Sequence, residues 1–256
     1  SFDFHKIITI QRENTMTKKS ASTEYTVHLE GVQVARAENQ LIHNVTIRLA
    51  HNEFAYLSGP VGGGKSSLLE LLYGELPHTQ GKAYVLGYNL SRLKRNARQA
   101  LRRRMGIVFQ SSDQLLYDRT VAANLDFVLR ATGKYPRPER QQRIEEVLDK
   151  VGMQGKGYKM PHELSGGEAE RICIARALIV KPELILMDEP TAGLDPQTAL
   201  SIGQLVQQIS KEGTAVLMAT HNHELMRELP APTYTIDANS RTLQLSFPKG
   251  MEPTEV

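Results

Sequence analysis

Gly59-Pro60-Val61-Gly62-Gly63-Gly64-Lys65-Ser66-Ser67 is the stretch that decides the fold. It matches the pattern G-x-x-x-x-G-K-S, with the strand-like run Glu53–Leu57 directly before it and the helical pattern Ser66–Tyr73 after it. That order of strand, glycine loop and helix carries more weight than any one residue. A triphosphate is highly charged, so a site for one needs many donors close together. Glycines let backbone N–H groups turn inward around phosphates without side-chain collisions. A helix starting near Lys65 adds its positive end. In this pattern Lys65 reaches the β- and γ-phosphates and the Ser66 hydroxyl coordinates Mg²⁺. Nucleotide binding follows; the use made of the nucleotide does not.

Working outward, Thr26–Leu29 and Val45–Leu49 alternate as strands do, with turn-like Ala37–Gln40 between them. Ala83–Leu86 reads as a short strand, a basic helix follows, and Gly106–Phe109 is a buried-strand candidate. Ser111–Pro161 is mainly helical: Ile144, Val147, Leu148 and Val151 share one face and Gly152 stops it. Glu168–Val180 is a further helix, ended by Lys181-Pro182. Leu184–Met187 is an apolar strand, Gln197–Lys211 a helix and Ala215–Ala219 a strand. Tyr234–Ile236 and Thr242–Leu245 form a closing hairpin. Strands alternating with helices predict an α/β fold whose mainly parallel sheet is covered on both faces. The helical stretch interrupts that alternation as an insertion.

Leu184-Ile185-Leu186-Met187 delivers Asp188 and Glu189 to a strand's C-terminal edge, where open α/β sheets place ligands. Adjacent acids cannot both point into one spot. The division of labour that suits them has Asp188 on Mg²⁺ and Glu189 polarising the attacking water.

The bulk properties set few limits. The chain has 256 residues, 31 basic and 28 acidic, for a net charge of +3, which argues against a general nucleic-acid coat. The charge is uneven: Arg92, Lys94, Arg95, Arg98, Arg102, Arg103 and Arg104 follow one another with no acid among them. A solvated helix face, a contact with anionic headgroups and DNA binding remain open for that run. The single cysteine, Cys173, cannot form an internal disulfide and reads as a small packing residue. No apolar run is long enough to cross a bilayer, and Ser1–Asn14 lacks the pattern of a secretory signal. Met16 suits a natural start, with Ser1–Thr15 as upstream or added sequence; an ordinary N-terminal extension suits the same residues.

Many phosphate-loop families share the loop and the acidic strand. Leu164-Ser165-Gly166-Gly167-Glu168, followed by Arg171 and a helix, resembles the signature motif of ABC ATPases. Gln110 after Ile107-Val108-Phe109, Gly193-Leu194-Asp195 after the acids, and Ala219-Thr220-His221 after a strand support it in order. The resemblance implies a P-loop NTPase (RecA-like) core, an N-terminal antiparallel β subdomain and an inserted α-helical subdomain. In this sequence those would be a core of 25–110 and 166–245 and a helical insert of 111–165, with a leader of 1–24 and a tail of 246–256.

The resemblance also implies ATP and Mg²⁺ as cofactors, and hydrolysis at the interface of a head-to-tail dimer. There Ser165, Gly166, Gly167 and Glu168 face the γ-phosphate held by the partner's loop, a role that a hydroxyl and bare N–H groups at a helix start can serve. Gln110 resembles the glutamine that contacts Mg²⁺ or the attacking water, Asp195 the aspartate that communicates across the dimer, and His221 the histidine on the γ-phosphate. Two positions depart from the pattern. The aromatic residue that usually lies under adenine is absent from Val34-Ala35-Arg36-Ala37, leaving Arg36 or a shifted Tyr25 for the base. Ala169 stands where a glutamine usually follows the signature glutamate.

At subfamily level, Leu90–Lys94, the run into Met105–Gln110, and Leu116-Tyr117-Asp118-Arg119-Thr120-Val121-Ala122-Ala123-Asn124 resemble the FtsE ATPases of bacterial cell division. That would imply a cytoplasmic subunit, peripheral on the inner face of the cell membrane through an FtsX-like membrane partner, with no nucleic acid as partner. ATPase subunits of lipoprotein-releasing and macrolide exporters share the layout and stand as the alternative.

Overall fold

The computed structural model describes residues 25–36, 39–77, 80–110 and 114–251. The leader with its Met16 start, Ala37, Ser111 and the last five residues of the tail therefore lie outside the described residues. In chain order the elements are β1 (Tyr25–Arg36), β2 (Asn39–Ala50), β3 (Phe54–Ser58), α1 (Lys65–Leu72), β4 (Lys82–Val85) and β5 (Tyr88–Asn89). There follow α2 (Arg95–Arg102), β6 (Met105–Val108), α3 (Val121–Thr132), α4 (Arg137–Lys150) and α5 (Gly166–Leu178). The chain closes with β7 (Leu184–Asp188), α6 (Pro196–Lys211), β8 (Ala215–Ala219), α7 (His223–Glu228), β9 (Thr233–Ile236) and β10 (Leu243–Ser246).

Two sheets result. One is antiparallel, in the order β2-β1-β4-β5; the other runs β10-β9-β3-β8-β7-β6. The second is parallel from β9 to β6, with β10 antiparallel on its edge. Because side chains alternate along a strand, each central strand feeds two cores. Ala55 and Leu57 of β3, Leu184 and Leu186 of β7, and Leu217 of β8 pack with α1 and the antiparallel sheet. Tyr56, Ile185, Met187, Val216 and Met218 pack on the opposite face with α3 to α6. A strand buried on both faces cannot alternate polar and apolar residues, so these segments read as continuous apolar runs.

Close approach explains one glycine. A Cβ on Gly106 would lie 2.9 Å from Ala177 Cβ, so α5 rests directly on β6. The segment before α3 is fixed by a single buried side chain. Asn124 Nδ2 donates to the carbonyls of Leu116, Arg119 and Thr120, and its Oδ1 accepts from Leu116 N at 2.7 Å. Thr120 then caps the helix by accepting from Ala123 N.

Three readings of the sequence need correction. The first hairpin is far longer than expected: both of its strands have 12 residues, and Asn39 and Gln40 lie in β2 instead of a turn. Its register shifts at several points, which breaks the strict alternation that would reveal it. Among the described residues the stretch after Ser111 is α-helical in α3 and α4, with a 3₁₀ turn at Pro161–Glu163; Gly152 and Gly155, with φ of 71° and 72°, turn the chain after α4. The short α7 has no sequence signal beyond its Asn222 cap, which accepts from Leu225 N.

Candidate functional site

The phosphate loop leaves β3 at Ser58 and enters α1 at Lys65. Gly59 has φ 150° and a Cβ there would meet Ile236 Cβ at 2.9 Å; Gly64 has φ 97° and is overlaid by Ile42 and Leu41. Both positions exclude a side chain by conformation and by space. The loop closes on itself through Gly63 N, which donates to Pro60 O at 3.0 Å. Val61 stands at its crest, 86% exposed. Lys65 is only 7% exposed, and its Nζ donates to Gly59 O at 3.0 Å and Pro60 O at 3.2 Å.

From β7 the two acids diverge. Asp188 stays in the ladder opposite Ala219 and is hydrogen-bonded to the Ser66 hydroxyl. Burial pushes its carboxyl above the usual range, an effect that Ser66 and the charge of Lys65 partly offset. Glu189 turns away with φ 49°, a left-handed conformation that is costly for a non-glycine residue. The turn is held by its own N–H donating to Ala219 O at 2.8 Å. Its buried carboxylate meets two groups: Oε1 lies 3.7 Å from Lys65 Nζ and 2.7 Å from His221 Nδ1, and Oε2 accepts from His221 N at 3.2 Å. An ionised carboxylate can only accept, so Nδ1 carries the imidazole proton.

Arg36, Leu41, Glu70, Gln110, Asp188, Glu189 and His221 line one cleft of about 400 Å³ together with Val61–Ser67. Gly59 and Pro60 brace it through Lys65. Glu70 and Leu41 were missed from sequence: the end of β1 folds over α1, where Arg36 is hydrogen-bonded to Glu70, and neither residue has a local signal. Tyr25 does not serve the cleft. It lies at the other end of β1 from Arg36, against the His28 ring at 5.6 Å. A larger cavity of about 870 Å³ lies between α3 and α4, but no phosphate-loop residue lines it.

The signature residues are elsewhere. Among the described residues, none of Ser165, Gly166, Gly167 and Glu168 lines the phosphate-loop cleft. Ser165 caps α5 in a reciprocal pair: its hydroxyl accepts from Glu168 N at 3.2 Å and its N–H donates to Glu168 Oε2 at 3.0 Å. Lys156 sits 2.5 Å from Glu168 and Lys159 3.7 Å. The Lys156 hydrogen bond and the Ser165 N–H hold the Glu168 carboxyl down to about 2. Asp195 caps α6 in the same way, accepting from Thr198 N at 3.0 Å, and its carboxyl is lowered by Thr198. The two helix starts touch: a Cβ on Gly166 would lie 3.3 Å from Leu194, and one on Gly167 only 2.5 Å from Thr198.

The donor set suits a magnesium nucleotide. Ser66, Asp188 and Gln110 offer hard oxygens in one cleft, while loop N–H groups and Lys65 offer positive charge. Among the described residues no cluster of three His, Cys, Asp or Glu could hold a metal by protein groups alone.

Residues 42–192 match the family model described as ABC transporter. The chain is 40% identical over 188 residues to the cell division ATP-binding protein FtsE of Streptococcus pneumoniae, covering 73% of this chain and 81% of that protein. It is 37% identical over 198 residues to the methionine import ATP-binding protein MetN of Xanthomonas campestris, covering 77% of this chain and 58% of the relative. Among solved structures it is similar to cbiO1 from Clostridium perfringens, part of the ABC transporter complex cbiONQ, with a TM-score of 0.79, 26% identity and coverage of 86% and 87%. The chain belongs to the ABC transporter family, as one of its ATP-binding and ATP-hydrolysing subunits.

Proposed function

We propose that two copies of this chain close head to tail around two Mg-ATP and drive a membrane complex of the FtsE kind, with an FtsX-like membrane subunit. The observation that carries the dimer is the separation of Ser165–Glu168 from the cleft that gathers the phosphate loop and Glu189. A second copy would bring its α5 N-terminus to the open side of that cleft, presenting N–H groups and the Ser165 hydroxyl to the terminal phosphate.

Each residue then has a task. Lys65 exchanges its carbonyl partners for phosphate oxygens, and Ser66, Asp188 and Gln110 hold the metal. Bound Mg²⁺ supplies neutralisation of phosphate charge. Glu189 takes the proton of the attacking water; both its oxygens already accept from His221, and each keeps a lone pair for that proton. His221 orients Glu189 through Nδ1 and leaves Nε2 for the phosphate. Arg36, held by Glu70, offers its planar guanidinium to the base. Asp195 and the signature, packed together, transmit closure between the copies.

The FtsE-like role is supported by the subfamily resemblance around Leu116–Asn124 and by similarity to FtsE itself. Similarity to MetN, a methionine import ATP-binding protein, supports an importer role as the second reading. The dimer is tested with Glu189→Gln, which should bind ATP, hydrolyse it about 10²–10⁴-fold more slowly and accumulate as a dimer. A variant that stays monomeric in saturating Mg-ATP, with nucleotide binding intact, refutes the closure. Isolation of the chain from membranes and identification of its partner separates the two roles.

A further inference from the structure

Seven cations lie between Arg92 and Arg104, and the structure divides them into two groups. Arg102 is bound to Glu75 at 2.5 Å and stacks over the Tyr73 ring at 5.5 Å. Arg104 forms a forked pair with Glu183 and stacks over Tyr88. These two hold the fold. Arg92, Lys94, Arg95, Arg98 and Arg103 are all exposed, and no side-chain ion pair joins them among the described residues. The helix that carries most of them, α2, buries Leu101 alone. Leu93 and the stem of Arg98 settle on Gly74, which sets the charged heads outward. These five like charges share about 12 Å of helix and its flanks, and among the described residues no acid pairs with them.

We infer that this face docks on an anionic phospholipid surface. The patch has what such a surface needs: long stems, free charged heads, and no acid from Ser91 to Arg104. Tyr73, under Arg102, packs edge-on against Phe109 at 6.4 Å, and Phe109 is 46% exposed immediately before Gln110. The basic helix, Tyr73 and Phe109 thus form one continuous edge, at the β6 end of the large sheet. Nucleic acid fits less well. Its single strands are held by several aromatic faces between cations, and here Tyr73 and Tyr88 are covered by Arg102 and Arg104, which leaves Phe109 as a single open ring. The chain's total charge of +3 also gives no wider basic track.

The inference rests on the reading that the chain works at a membrane, so its test uses lipid alone, without a protein partner. Purified chain is sedimented with vesicles of pure phosphatidylcholine and with vesicles containing about one-third phosphatidylglycerol. The chain should be retained by the second and not the first, and released near ~0.5 M salt. Arg92→Gln, Arg95→Gln, Arg98→Gln and Arg103→Gln each weaken retention by about fivefold, so that the fourfold variant loses it while keeping wild-type ATPase activity. The corresponding fourfold lysine variant retains binding. If the fourfold glutamine variant loses activity, the pair Arg95→Gln/Arg98→Gln gives the same reading at about 25-fold weaker retention. Equal retention on neutral vesicles, a fourfold glutamine variant that binds like wild type, or preferential capture by duplex DNA in competition overturns the lipid contact. Those results would leave ATP-driven dimer closure untouched, and failure of the Glu189→Gln dimer would leave the vesicle result standing.

Discussion

Glu170 follows the signature by two residues and is buried against the helical core, 7% exposed. Its Oε1 has no hydrogen-bond partner among the described residues, and burial pushes its carboxyl from 4.5 up to about 8. The folded chain therefore keeps this proton over a range in which the unfolded chain releases it. The contribution of this group is full below pH 4.5, falls as pH rises, and levels off above about 8. At about 1.36 kcal/mol per unit, the whole window costs about 5 kcal/mol, of which about 3 kcal/mol is already lost at pH 7. That is a large share of an ordinary domain's stability of about 5–15 kcal/mol. Glu170→Gln replaces the carboxyl with a neutral amide of nearly the same shape. Its own packing offset is independent of pH, so the slope is diagnostic. Urea unfolding of both proteins without nucleotide, between pH ~5 and ~8, should show the variant gaining about 1–3 M in midpoint relative to wild type towards the alkaline end. All other titrating groups cancel in that difference. Parallel midpoints for the two proteins across the range refute the reasoning.

Three further outcomes follow from the same packing. Gly167→Ala drives a methyl into Thr198 Cγ2, at 2.5 Å, and should destabilise the fold by about 1–3 kcal/mol; Thr198→Ser removes that methyl and should restore the thermal midpoint of the double variant. Arg36→Ala should weaken ATP binding by more than tripolyphosphate binding, and equal losses for the two ligands would remove Arg36 from the base. Cys173, fully buried and with its thiol pushed up to about 12 by burial first and Glu170 second, should resist a thiol reagent at neutral pH until the chain unfolds. Rapid labelling of the native protein contradicts that.

The parts legible in the sequence are those whose physics is local. A phosphate loop needs its glycines in consecutive positions, and Leu184–Met187 announces a strand buried on both faces without help from distant residues. What could not be read depends on long-range closure. The first hairpin hides its length behind register shifts. Arg36 meets Glu70 only because the end of β1 lies over α1. The cost of Glu170 is equally invisible, since a glutamate on a helix reads as a surface residue until the surrounding core is known. The same holds for the two candidates for the base: Tyr25 and Arg36 belong to one strand, and only its direction decides which reaches the cleft.

The signature serves two purposes that pull on the same residues. Gly167 is bare for a reason internal to the chain, because Thr198 of α6 occupies the space a side chain would need. Ser165 already spends its oxygen on capping α5, and Asp195 does the same for α6. A phosphate brought to this edge by another copy would therefore meet two helix starts fixed against each other, not one flexible loop. The space beside Gly167 has no room even for a methyl, so the two starts pack closely at this point. Under the proposed closure, a phosphate met by α5 would be felt at the head of α6, where Asp195 caps the helix. The Gly167→Ala/Thr198→Ser pair separates these purposes: it restores the packing, so any remaining defect in ATP-dependent dimerisation belongs to the phosphate contact alone.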